Sequence, residues 1–302
     1  LSNSMSTGLL DKITMDGDVQ QAAATLDSRR DEGRFLIQAI PYYDANQRIY
    51  ESDKATERTV MNEVDKLKKG DIEDWLIESV KNSELRSYEM MLENPSSKIL
   101  LLNQIFAYQL PPDYYASIPD KMAKLSKEDI QRVAQKYLNE DHLMVSIDIG
   151  TPKKDKLKKP DIKPIDQPKG QTSAYAEYLK AIPVQELPEV YNNMDDVTTV
   201  EMYDKVRLHY TVNPLNDYFS ITMKYGVGTQ KMPKLGYAAE LMNSAGIMPF
   251  DDPQDVRRQF SELNASCTYR ATDDYFYITL IGLESNLEDI CRLMTRQTLM
   301  PK

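Results

Sequence analysis

Histidine and cysteine are the scarcest chemistry-bearing residues in this chain, with two of each among 302 residues. Two cysteines, Cys267 and Cys291, are too few for a disulfide framework. They read as small buried hydrophobes, Cys267 on a strand and Cys291 on a helix. The histidines, His142 and His209, fall at or in expected strands and read as structural. Scattered from His142 to Cys291, the four residues make no metal-ligand spacing and offer no zinc site. Long apolar runs are lacking too. None approaches the ~18 residues of a membrane span, and the first residues show no basic-then-apolar signal segment. Positive charge is in deficit: 37 Lys and Arg stand against 47 Asp and Glu, for a net charge of −10. That balance argues against a general binder of nucleic acid or of anionic membranes.

Length permits a sizeable core, and 302 residues correspond to about two domains. The chain opens on Leu1 rather than Met and stops at Lys302 just after an apolar helix, so it reads as a piece of something longer. The expected fold class is α+β: two units, each an antiparallel sheet with helices packed on one face, joined by a Lys/Pro-rich linker. The units are expected at 1–150 and 196–302, with the linker at 151–195.

In the first unit, the stretch from Asp18 to Asp27 looks extended, and Arg29 to Gly33 supplies a polar turn. The apolar run from Phe35 to Pro41 follows, so a hairpin is expected with its second strand the more buried. Val60, Met61, Val64 and Leu67 mark a helix closed by Gly70. Asp71 is expected to cap the next helix, which Asn94-Pro95 breaks. A third helix, about Ser97 to Leu110, holds Ile99 to Leu102 in succession. Its small polar face predicts that it is largely buried. Ser126 and Asp129 have capping-box spacing. They head a helix through Ile130, Val133, Ala134, Tyr137 and Leu138, and Leu143 to Ile149 alternate like a strand.

Composition then shifts. Residues 151–170 hold seven lysines, four prolines and three aspartates, and read as a solvated, extended linker. A basic run can mean nucleic acid, but no aromatic residue is interleaved for stacking. The segment is net +4 against −10 overall, so the rest of the chain carries −14 and would oppose a polyanion. A short helix is expected around Ala174 to Leu179.

The second unit opens with Val206, Leu208 and Tyr210 alternating on one strand. A turn at Asn213 to Asn216 then leads to a second strand, Phe219 to Tyr225. The chain bends at Gly226 and Gly228 and enters an apolar helix from about Leu235 to Ala245. Asp252, Pro253 and Asp255 start another helix. Strands around Cys267 to Ala271 and Phe276 to Leu280 pair through Asp273-Asp274, and a last helix runs from about Ser285 to Leu299.

The stretch from Tyr218 to Phe250, YFSITMKYGVGTQKMPKLGYAAELMNSAGIMPF, resembles the pitrilysin/insulinase-type zinc metallopeptidases, whose motif is H-x-x-E-H. In that family a strand and a glycine-bearing segment deliver a helix written loosely G-x-x-H-x-x-E-H. Anchored on Gly236, the first histidine position is Ala239, the glutamate position is Met242 and the second histidine position is Asn243. None of the three family residues is present, and Glu240 alone cannot hold zinc. Residues 17–150 resemble the domain that follows the catalytic one, and residues 196–302 the first part of a third domain. Here NPLNDYFSITMKYGVGTQ and YFYITLIGLESNLEDICRLM share the family's hairpin-and-helix texture.

The family's chemistry needs two neutral imidazoles one helical turn apart, a further carboxylate, and a glutamate as general base on the zinc-bound water. The resemblance therefore implies no catalytic residue and no metal ligand in this chain, which would serve structure and substrate enclosure. Zinc, the catalytic domain and a peptide substrate would belong to the whole protein, placed by the resemblance alone in a bacterial periplasm. Two alternatives stand beside this reading. One is a scaffold or partner subunit of a non-enzymatic family member; the other is an unrelated two-domain binding protein with a ligand groove between its units. An uncovered sheet in residues 196–302 is further expected to favour self-association.

Overall fold

The computed structural model describes residues 1–3, 5–44, 49–139, 141–147, 150–151, 160–163, 170, 172–184, 188–189, 194–203, 205–249 and 251–302. The chain divides into two compact units. One comprises Leu1–Met144 together with Asn213–Lys302, and the other Val145–Val212. Helices and small antiparallel sheets make up both, so the fold class is α+β as expected.

In the larger unit a short helix α1 (Leu9–Met15) packs on a hairpin of β1 (Gln21–Ser28) and β2 (Gly33–Ile40). The pairing runs from Gln21 opposite Ile40 to Ser28 opposite Gly33. Thr14 ties helix to hairpin, donating its Oγ1 to Leu10 O and accepting from Ala22 N. Leu10, Ile13, Val19 and Ala22 form a small core with Val60. The hairpin's second strand is not the more buried. Phe35, Leu36 and Ile40 are exposed, because among the described residues of the strand only Ile37 and Ala39 reach that core.

Beyond a short pair, β3 (Tyr43–Asp44) and β4 (Ile49–Tyr50), five helices follow. Ser52 caps α2 (Asp53–Lys69), which ends at Gly70 in the left-handed region, φ 71°, where a residue without Cβ is unstrained. The next helix, α3 (Asp74–Glu93), begins at Glu73 and not at Asp71. Asn94 ends it and caps α4 (Pro95–Tyr108), accepting from Ser96 N. Then come α5 (Ile118–Lys124) and α6 (Lys127–Tyr137), the latter headed by the expected Ser126/Asp129 capping box.

Two expectations fail here. α4 is not buried: Ile99 is 66% exposed, Leu102 66% and Phe106 83%. An apolar helix is hidden only where other elements surround it, and α4 sinks Leu101 alone. Leu143 to Ile147 form no strand and lie exposed; residues 148 and 149 lie outside the described ones.

The inner face of α3 carries Ser79, Ser83 and Arg86, all buried. Ser79 hydrogen-bonds Ser261 through their hydroxyls, and Arg86 donates to Asn264 O at 2.9 Å. These contacts join α3 to the C-terminal part of the same unit through a polar seam.

That part is built on a three-stranded antiparallel sheet in the order β7 (Tyr218–Tyr225), β9 (Phe276–Leu283), β8 (Ser266–Ala271). Helices α8 (Leu235–Asn243), α9 (Pro253–Glu262) and α10 (Leu287–Leu299) complete it. Asp252 caps α9 with Pro253 at its first position and Asp255 completing the box, as the sequence predicts. The main core gathers Val256 and Phe260 of α9, Ile290, Leu293 and Met294 of α10, and Ile278 and Leu280 of β9. Side chains alternate on β9, with Ile278, Leu280 and Gly282 buried. At Gly282 an added Cβ would lie 2.5 Å from Ile290 Cδ1, so glycine lets α10 approach the sheet closely.

The smaller unit holds α7 (Ala174–Ala181), capped by Ser173, and the exposed pair β5 (Thr198–Glu201) and β6 (Arg207–Tyr210). The expected hairpin of the 206–210 strand with the 219–225 strand is not formed: β6 pairs with β5, and β7 with β9. Most of the Lys/Pro-rich stretch, 152–159 and 164–169, lies outside the described residues.

Candidate functional site

The strand–turn–helix of residues 218–249 holds Ala239, Met242 and Asn243, the positions that the sequence resemblance sets against the zinc motif. β7 carries Phe219, Ile221 and Met223 towards the main core and leaves Ser220, Thr222 and Lys224 exposed. The turn after it is fastened to the β8–β9 turn. Thr229 N donates to Thr272 O, Gln230 N to Asp273 O, and Thr229 Oγ1 to Asp273 Oδ1. Gly228 makes this possible, since a Cβ there would stand 2.2 Å from Asp273 O.

α8 therefore starts against the sheet, and its inner face is the i, i+3, i+4 set of Ala239, Met242 and Asn243. Ala239 is 3% exposed and belongs to the main core. Met242 is half-buried against the same core. Asn243 turns its amide to β8, donating Nδ2 to Tyr269 O at 2.9 Å and accepting from Tyr269 N at 2.8 Å. Glu240 points to solvent, and so do Tyr237 and Leu241. Ala239, Met242 and Asn243, the positions that the sequence resemblance sets against the zinc motif, thus face inward and are spent on packing and strand pairing.

Behind them lies a second polar layer. Gln297 of α10, buried, donates to Met242 O and Ala245 O and so satisfies carbonyls at the end of α8. Tyr269 donates from or accepts at its hydroxyl with Thr298 Oγ1 at 2.9 Å, and it reaches Gln297 Oε1 at 3.3 Å. Burial pushes the Tyr269 phenol well above its ordinary value. Burial likewise pushes the Cys267 thiol up to about 11, and it raises Cys291. A thiol held protonated is a poor nucleophile and a poor metal ligand. Both cysteines are free and packed against the main core, Cys267 on β8 and Cys291 on α10.

Each histidine has a polar partner within its own unit. His142 Nε2 meets Glu57 Oε1 at 2.9 Å, and His209 Nδ1 meets Thr199 Oγ1 at 2.8 Å. Among the described residues, no group of three or more His, Cys, Asp or Glu is placed to hold a metal ion. No described helix is long and apolar enough to cross a membrane. The residues at the motif positions do not fit zinc: a methyl group, a thioether and an amide committed to the backbone replace two imidazoles and a carboxylate.

Two surface depressions lie elsewhere. One, of about 520 Å³, runs along the C-terminal half of α4 beside Arg30, which donates to Gln109 Oε1. The other, about 320 Å³, separates α9 from α10. The sequence pointed to neither, because nothing in the pattern marks α4 as uncovered.

No family model and no curated protein matches the chain. Among solved structures it is similar to the periplasmic protease PqqL from Escherichia coli, at 9% identity and a TM-score of 0.34, over 99% of this chain and 35% of that one. It is similar also to the ferredoxin protease FusC, solved as a mutant with Arabidopsis ferredoxin, at 10% identity and a TM-score of 0.34. That match covers 98% of this chain and 36% of the other. The chain thus spans about a third of the length of these structures.

Proposed function

We propose that this chain is a non-catalytic portion of a pitrilysin/insulinase-type zinc metallopeptidase, comprising its second domain and the first part of its third. Its role is to build and close a chamber around a peptide or small protein whose cleavage is done elsewhere in the whole protein. One observation carries the reading: the inner face of α8 spends the motif positions Ala239, Met242 and Asn243 on the sheet beneath them. The architecture of a zinc helix is kept while its ligands and its base are replaced. Zinc, the catalytic domain and the peptide are partners of the whole protein in this reading, and a scaffold role in a non-enzymatic relative uses the same residues in the same way.

Purified chain tests the proposal directly. Metal analysis is expected to find far less than one equivalent of zinc, and an unstructured peptide is expected to survive incubation. A full equivalent of tightly held zinc, with proteolysis abolished by a chelator, sinks the reading.

A further inference from the structure

Two arginines of the larger unit are buried or half-buried with no carboxylate within ion-pairing distance among the described residues, although the charge of Asp11 acts on Arg257 from farther away. Arg86, on α3, is 7% exposed; its Nη1 donates to Asn264 O and its Nη2 to Met5 Sδ at 3.0 Å. Arg257, on α9, donates Nη1 to Met15 Sδ at 2.8 Å. Both sulfurs come from the first fifteen residues, and both guanidiniums from elements far along the chain. Asp16 adds a third tie, accepting from Gln254 Nε2 at 2.7 Å. A thioether is a weak acceptor, and a desolvated cation is stabilised by a strong one. Burial lowers the affinity of both guanidiniums for their protons, which reflects that poor solvation.

We propose that Met5 and Met15 are oxidation sites whose sulfoxides fasten the N-terminal segment onto Arg86 and Arg257. The step consumes one peroxide per methionine. A sulfur lone pair attacks one oxygen of hydrogen peroxide, the O–O bond breaks and an S–O bond forms; the proton on the attacked oxygen passes to the departing one, which leaves as water. In an apolar core a sulfoxide is disruptive. Here each new oxygen meets a guanidinium N–H, turning a weak contact into a charge-assisted hydrogen bond. Both methionines are half-buried, so peroxide can reach them. Their unbranched side chains can also shift to seat the added oxygen.

Native-state proteolysis reads the effect. Lys12 lies exposed on α1 between the two methionines, and cutting after it requires the segment to open locally. After mild hydrogen peroxide treatment, with oxidation at Met5 and Met15 verified by peptide mass spectrometry, cleavage after Lys12 by a lysine-specific protease is expected to slow roughly tenfold. That factor corresponds to one such bond gained. Methionine sulfoxide reductases should restore the original rate. The M5L/M15L variant keeps apolar volume, and its cleavage rate should not respond to peroxide. Cleavage that is unchanged or faster in the oxidised wild type overturns the proposal. So does an equal slowing in the M5L/M15L variant, or resistance of Met5 and Met15 to peroxide while exposed Met232 and Met248 oxidise.

Discussion

Asn243 and Tyr269 are joined as two strand residues would be: the side-chain amide of Asn243 both donates to and accepts from the Tyr269 backbone, at 2.9 and 2.8 Å. Because β8 is an edge strand of its sheet, that amide satisfies groups that would otherwise be orphaned under α8. An imidazole cannot reproduce the pair, since a neutral ring offers its donor and acceptor on opposite sides. The residue found here therefore suits strand pairing and not metal binding.

Asn243→Ala should lower unfolding free energy by about 1–3 kcal/mol, the cost of stranding a buried donor and acceptor. Urea unfolding monitored by circular dichroism measures it; a loss well under that range shows that water replaces the amide.

Gly228→Ala should also destabilise, by about 1–3 kcal/mol, because the new methyl meets Asp273 O and must push the two turns apart. Gly226, where a Cβ would meet nothing, is the internal control, and alanine there should change stability far less.

Alkaline pH should weaken the fold through Cys267. Below pH 9 the thiol is protonated in both folded and unfolded chains and contributes no pH dependence. From 9.0 towards about 11 the unfolded chain releases the proton that the folded chain retains. Stability then falls, with a slope of at most ~1.4 kcal/mol per pH unit from this group. Cys267→Ala should remove that part of the slope. The same burial should make Cys267 react slowly with thiol reagents at pH 8.

The double variant Leu102→Gln/Phe106→Ser should leave stability within about ±0.5 kcal/mol, since neither side chain is packed. It should also reduce association at high concentration, read by light scattering, if α4 is the sticky surface. A large loss of stability would show that α4 is covered.

Where a residue's partners are its near neighbours, the sequence was readable. Ser126 with Asp129, Gly70, and Asp252 with Pro253 and Asp255 each announce a helix end through local hydrogen bonding, and all three hold. Legibility fails where the outcome depends on what else is nearby. Ile99 and Phe106 look like core residues, yet among the described residues no element covers them. Leu143 to Ile147 alternate like a strand but form none. At α8 the inventory was legible, because absent histidines can be read directly. What Asn243 does instead was not, since its partner Tyr269 is 26 residues away.

The seam between α3 and the C-terminal part has a thermal consequence. Ser79 and Ser261 meet there through their hydroxyls and the Arg86 guanidinium meets the Asn264 carbonyl, with Ser83 buried on the same face of α3. Exposing polar surface lowers heat capacity while exposing apolar surface raises it. Parting this seam would therefore leave almost no heat-capacity step, whereas melting the core around Leu280 and Ile290 would leave a large one. A calorimeter would tell the two events apart by the step in baseline that only the second leaves behind.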